Sequence, residues 1–184
     1  MKLKLISKIY HHYMTMPPVG ITCGQGVRVQ RPCQISNTKC IRIGDRTEIR
    51  NGAMIEPIVE YADELHSPTI EIGSDVYIGP RLYMVCSNHI SIGDGTVISE
   101  HVFINDTSHG MDPDAGLIMK QKLFSKGGIT IGKHCFLGFR SAVLPGVTLG
   151  DFCIVGVNSV VTRSFPAYSV VAGSPARLIK MNRK

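Results

Sequence analysis

The sequence predicts an all-β fold, a parallel β-helix of hexapeptide repeats, and three observations carry that expectation. An apolar residue recurs every six positions, a glycine often follows it, and four positions on the side chain is small or β-branched. Apolar residues stand at Ile43, Ile49 and Ile55, return at Ile72, Ile78 and Met84, and again at Ile92, Ile98 and Ile104. They then run unbroken through Ile131, Leu137, Val143, Leu149, Val155 and Val161. The following glycines are Gly44, Gly73, Gly79, Gly93, Gly132, Gly138, Gly150 and Gly156. The small or branched positions include Thr47, Ala53, Val76, Thr96, Val102, Cys135, Ser141, Cys153 and Ser159.

A short strand puts residues i and i+2 on one face, and a turn every six residues returns the same chemistry to the same place. Three such segments close a triangular coil, and coils stack about 4.8 Å apart through ladder hydrogen bonds. The apolar position then points into a narrow prism. Glycine suits the tight or positive-φ place at the turn, and the small residue suits the crowded corner. An amphipathic helix repeats every 3.6 residues. A sandwich would show alternating strands spaced about 8–12 residues apart. Neither fits a period of six.

The elements follow in order, all within one domain of 184 residues. Residues 1–18 precede the repeats. Leu3, Ile6, Ile9, Tyr10 and Tyr13 share one helical stripe, and Pro17-Pro18 ends it. A short helix capping the open coil stack is expected there. Lys2, Lys4 and Lys8 give the same segment a second reading, a weak peripheral membrane contact. Residues 19–166 form the β-helix, with two excursions. Residues 56–69 are acidic and polar. Residues 105–128 make a longer, protruding loop between good coils, and loops of that length in a regular scaffold are commonly functional. Residues 167–184 form a basic tail.

Composition narrows the classes. The chain is 43% hydrophobic and 18% charged, which supports a core and argues against disorder. No run reaches the ~18–20 apolar residues of a membrane span. The first residues lack a continuous apolar stretch and a small-residue cleavage site, so a cytoplasmic protein is expected. Cys23, Cys33, Cys40, Cys86, Cys135 and Cys153 form no CxxC pair, which favours reduced, buried thiols over a zinc site. The net charge of +6 suits an anionic partner. With no Trp and no nucleic-acid motif, a phosphorylated small molecule is preferred to nucleic acid.

The polar cluster at the start of the long loop is the candidate site. His109 has the side chain best matched to removing a hydroxyl proton near neutrality. Asp106 and Asp112 are near enough in sequence for one of them to orient the imidazole. His101 and His134 fall at turn places and are expected to face solvent. His66, in the first excursion, is within reach of a site, and His11 and His12 belong to the N-terminal helix.

These repeats resemble the hexapeptide-repeat acyltransferases, over roughly residues 20–180. The resemblance implies a left-handed coil, an exception to the right-handed crossover rule. Asp106-Thr107-Ser108-His109-Gly110 is similar to the Asp-His-x-His-Gly of lipopolysaccharide and capsule O-acetyltransferases, with Thr107 in place of the first His. It implies His109 as general base with Asp106 beside it. Asn105, Arg81, Tyr83 and Asp112 are the implied acceptor contacts. Gly79-Pro80-Arg81-Leu82-Tyr83 lacks the Asn that the galactoside enzymes use there, so acceptor recognition differs from theirs.

The segment Val171-Ala172-Gly173-Ser174-Pro175-Ala176-Arg177-Leu178-Ile179-Lys180 is similar to the family's closing A-G-x-P-A-[KR]-x-I-[KR]. Arg177 and Lys180 are thereby implied to face the phosphates of acetyl-CoA. Thr162 and Arg163 match the preceding V-T-[KR] turn, and the places of Phe139 and Val157 are implied to line the pantetheine slot. The implied activity is acetyl transfer from acetyl-CoA to a sugar hydroxyl in O-antigen or capsule biosynthesis, without a metal. The implied assembly is a homotrimer with a small-molecule or lipid-linked sugar acceptor. N-acetylation of an amino sugar, O-acetylation of an antibiotic, and a non-catalytic binding module remain as alternatives. The γ-type carbonic anhydrases share the fold, but they need two His five positions apart, and no pair among His66, His89, His101, His109 and His134 has that spacing.

Overall fold

The computed structural model describes residues 14–182. The helical cap and the lysines at its start lie outside the described residues, apart from the last five positions of the 1–18 segment, where Met14 and Thr15 are helical. The rest winds as a three-sided left-handed parallel β-helix. Among the described residues, one sheet has six strands, the second eight and the third six. Three hexapeptides make one uninterrupted coil, as from Leu137 to its parallel partner Val155.

Every apolar repeat residue from Ile43 to Val161 points inward and is at most 3% exposed. The columns stack in register: Ile49, Ile78, Ile98, Leu137 and Val155 follow one another up the second sheet. Each such side chain contributes ~1.5–3 kcal/mol relative to exposure, an upper bound for a chain already partly collapsed when unfolded. Thr47 and Thr96 fill corners and satisfy themselves by donating to the carbonyls of Gly73 and Gly132, at 2.7 and 2.9 Å.

The glycine expectation needs correction. Positive φ falls two residues after the repeat glycine and is held mostly by other residues, among them Arg46, Asp75, Arg81, His101, His134 and Arg140. The repeat glycine is required by crowding instead. A Cβ on Gly93 would lie 2.6 Å from the carbonyl carbon of Gly132 in the next coil, closer than neighbouring backbone can tolerate.

The outward faces differ in character. Arg42, Glu71, Ser91 and Thr130 make the first sheet polar. Tyr77, Val97 and Phe136 line the second, and Met54, Tyr83, Phe103 and Ala142 the third. Apart from the C-terminal hairpin, the departures from the repeat among the described residues leave through the edge between the third and first sheets. They are the 3-10 turn Thr38–Cys40, the hairpin Glu60–Tyr61 with Glu64–Leu65, the widened corner at Ser87 and Asn88, and the hairpin Ser108–His109 with Leu123–Phe124. Glu56 and Pro57 still belong to strand Met54–Pro57, and Asn105 to strand Phe103–Asn105, so both excursions start later than their polarity suggests. The C-terminal segment is likewise more ordered than a tail. Ser169–Gly173 joins the second sheet in parallel and pairs with Ala176–Met181 in an antiparallel hairpin.

All six cysteines are free. Cys86, Cys135 and Cys153 are buried, whereas Cys23, Cys33 and Cys40 are only half-buried. No helix among the described residues is long and apolar enough to cross a membrane.

Candidate active site

The two hairpins share one edge, and they meet. Lys122 of the second bonds Glu64 of the first at 2.6 Å. Tyr61 Oη donates to the Met119 carbonyl at 2.8 Å and lies 3.0 Å from His109 Nδ1. A hydroxyl has one proton to give. With that proton committed to Met119, Tyr61 accepts from His109 Nδ1–H, and Nε2 is left with its lone pair. The half-buried His109 faces a cavity of about 890 Å³.

Arg81, Tyr83 and Asn105 line this cavity with His109, as do Glu56, Glu60, Phe103 and Leu123. His101, at its turn place, lines it too and is half-buried. His134 is exposed and stacks on Phe152 at 5.1 Å. His66 does not line the cavity.

The expected roles of Asp106 and Asp112 are corrected. Asp106 is fully buried and turns away from His109. Its carboxylate accepts the backbone N–H groups of Ser87, Asn88 and His89 at 2.7, 2.9 and 2.9 Å. These are the amides that the widened corner removes from the ladder. Cys86 Sγ also donates to Asp106, at 3.5 Å. Burial and then the Asp106 charge push this thiol well above its ordinary range, so it is no nucleophile. Asp112 is exposed and accepts from Asp114 N–H at 2.9 Å. The buried Gln121, which the sequence reading passed over, braces the loop by bonding both the N–H and the carbonyl of Asp112.

A second cleft of about 430 Å³ lies on the other side of the 105–108 backbone. Asn105, Thr107 and Ser108 border both spaces, and Met111, Phe124, Lys126, Leu144, Pro145 and Thr162 complete the second. Of the residues expected to hold the donor, only Thr162 is here. Phe139 packs edge-on against His101, Val157 is 63% exposed, and Arg163 lies over Phe165. Arg177 and Lys180 sit on the C-terminal hairpin beyond the second sheet. One chain does not bring these residues together around His109.

Residues 128–163 match the family model described as hexapeptide repeat of succinyl-transferase. WbbJ of Escherichia coli strain K12, named for O-acetyl transfer in lipopolysaccharide biosynthesis, is 29% identical over 83% of this chain and 77% of its own length. Nodulation protein L of Rhizobium leguminosarum bv. viciae is 35% identical over 74% of this chain and 75% of its own. The chain belongs to the hexapeptide-repeat acyltransferases. The crystal structure of AntD, an N-acyltransferase from Bacillus cereus in complex with dTDP and 3-hydroxybutyryl-CoA, superposes with a TM-score of 0.74. At 22% identity, over 90% of this chain and 85% of AntD, that likeness shows a shared fold. In this acyltransferase the prism presents a histidine hairpin at one edge, and the two spaces beside it differ in polarity.

Proposed function

We propose that the protein is an acetyl-CoA-dependent O-acetyltransferase acting on a sugar hydroxyl in surface polysaccharide biosynthesis. The observation that carries the reading is His109, which lines the cavity with its Nδ1 3.0 Å from Tyr61 Oη. Nε2 takes the proton of the acceptor hydroxyl as the oxygen attacks the thioester carbonyl. The C–S bond then breaks, the imidazolium returns its proton to the leaving thiolate, and the products are the acetyl ester and free CoA. Tyr61 steadies the imidazolium between these steps. The name of WbbJ supports a polysaccharide setting and transfer to oxygen.

The mostly apolar second cleft suits a pantetheine arm, with Thr162 and Lys126 beside it. The scatter of Phe139, Val157, Arg177 and Lys180 away from His109 supports a homotrimer in which the donor lies between chains. The apolar columns on the second and third sheets offer the surface for such packing.

The test is release of free thiol from acetyl-CoA with a panel of sugars and amino sugars, with sedimentation run alongside. An acetylated product cleaved by neutral hydroxylamine is an ester. A hydroxylamine-resistant amide would move the assignment to N-acetylation, and no transfer to any acceptor together with no CoA binding would remove it. Tyr61→Phe should lower kcat about 10–100-fold, the range seen when a partner that fixes a functional imidazole is lost. Nitrogen chemical shifts of His109 should change from one tautomer to a mixture. An unchanged His109 spectrum in Tyr61→Phe would show that Tyr61 does not set the tautomer.

A further inference from the structure

The hairpin that carries Tyr61 is poorly equipped to hold its own shape. Its strands, Glu60–Tyr61 and Glu64–Leu65, have two residues each, and an isolated two-stranded hairpin is at best marginal in water. Its turn consists of Ala62 and Asp63, both left-handed at φ 47° and 61°. A tight hairpin turn needs such backbone, but it is unfavourable for alanine, whose Cβ crowds the following carbonyl. At the base, His66 N–H donates to the Val59 carbonyl at 2.9 Å. The tip therefore depends on what it meets outside the hairpin.

The second hairpin meets it at two points. Tyr61 Oη donates to the Met119 carbonyl, and its ring lies 5.4 Å from the His109 ring, centroid to centroid. Three residues along, Glu64 Oε1 accepts from Lys122 Nζ at 2.6 Å. The strand pairing ties the two points together. Tyr61 and Glu64 are direct cross-strand partners in the first hairpin. In the second, His109 pairs with Leu123, the neighbour of Lys122, and the Lys122 carbonyl accepts Gly110 N–H at 3.0 Å. Glu64 is thus coupled to the tyrosine through one backbone pair, and Lys122 to the histidine through another. The Tyr61 hydroxyl is a modest anchor by itself, because Met119 belongs to an exposed 3-10 turn of the long loop. Neither Glu64 nor Lys122 lines the cavity.

We propose that Glu64 and Lys122 are positioning residues, whose ion pair holds the first hairpin on the second and so keeps the Tyr61 hydroxyl on His109. They touch neither substrate and act through Tyr61. This rests on the acyltransferase reading above, in which Tyr61 steadies the imidazolium. The pair is exposed, with 72% of the Lys122 side chain and 34% of the Glu64 side chain open to solvent. Its hold is therefore modest and weakens as salt rises.

The test combines acetyl-transfer kinetics of the full chain with ring-nitrogen NMR of His109 in the absence of substrates. Glu64→Gln should lower kcat about two- to fivefold, the scale of an exposed ion pair, and leave KM for acetyl-CoA unchanged. Glu64→Lys and Lys122→Glu should each lower kcat, and the two together should restore it. In a Tyr61→Phe background Glu64→Gln should add nothing, because the path through Tyr61 is already cut. At saturating substrates, raising salt from about 0.05 M to about 0.5 M should lower kcat of the wild type and leave Glu64→Gln flat. Lys133→Gln breaks a comparable exposed pair with Asp94, at 2.9 Å on the edge between the first and second sheets, and should behave as wild type throughout. The His109 nitrogen shifts should move in Glu64→Gln in the direction they take in Tyr61→Phe. Unchanged His109 shifts in Glu64→Gln, an equal loss of kcat with and without Tyr61, or an exchanged pair that restores neither readout would each overturn the role. If neither readout responds while acetyl transfer persists, the acyltransferase reading stands without it. If the shifts respond and the exchanged pair restores them while no acceptor is acetylated, the transfer reading fails and the hold of Glu64 and Lys122 on the His109 contact stands.

Discussion

Replacing His109 with alanine should reduce kcat by about a thousandfold, within the 10²–10⁴ range for loss of a general base, while the affinity for acetyl-CoA stays nearly constant. The split follows from the two spaces around residues 105–108. His109 borders the larger cavity, while the cleft containing Thr162 is bordered by Ser108 and Phe124 and not by the imidazole. Removing the ring therefore takes the base from the acceptor side and leaves the donor side intact. The fold should survive, because His109 lies on a hairpin outside the prism and is only half-buried. Single-turnover kinetics with calorimetry of acetyl-CoA would check both parts. Equal turnover in the mutant would eliminate His109 as base, and a parallel loss of CoA affinity would show that the ring belongs to the donor contact.

Asp106→Ala should act on stability, and strongly. One buried backbone N–H group, that of Ser87, and two partly buried ones, those of Asn88 and His89, have the Asp106 carboxylate as acceptor. Orphaning the buried one costs about 1–3 kcal/mol and the partly buried ones less, for a total of order 3 kcal/mol. For a chain of this size that lowers Tm by about 6–12 °C. A thermal melt followed by circular dichroism separates this from a catalytic role. An Asp106 that merely oriented His109 would leave Tm in place and depress kcat alone. Asp106→Asn keeps one carbonyl oxygen and should fall between wild type and alanine.

The different fates of Asp106 and His109 show how far the sequence is legible. The prism is legible because one physical demand, an apolar side chain in a narrow interior, repeats every six residues. All fifteen positions from Ile43 to Val161 that meet it are buried. His109 is legible through its neighbours in a recognisable segment. Asp106 was misassigned because nearness in sequence was taken for nearness in space. The amides it serves lie seventeen to nineteen residues back, at a corner whose widening shows in the chain only as a broken period. Tyr61 was missed for a related reason. It stands forty-eight residues from His109 in an acidic stretch without periodicity, and only the stacking of both excursions on one edge brings its hydroxyl to the imidazole. His101 occupies an ordinary turn place, and only the coil edge it shares with Arg81 brings the two side chains within 3.5 Å.

That the excursions between coils leave through the edge between the third and first sheets has an evolutionary consequence. The inward residues on either side of an excursion stay in register whatever its length, as Ile98 does with Leu137 across the longest one. Lengthening a loop is inexpensive, about 0.6 kcal/mol for each doubling. Insertions and deletions can therefore accumulate at this edge without being filtered by folding, and natural selection can retailor acceptor choice there while the rest of the chain ages slowly. The protein resembles a lathe with a fixed bed and exchangeable tooling.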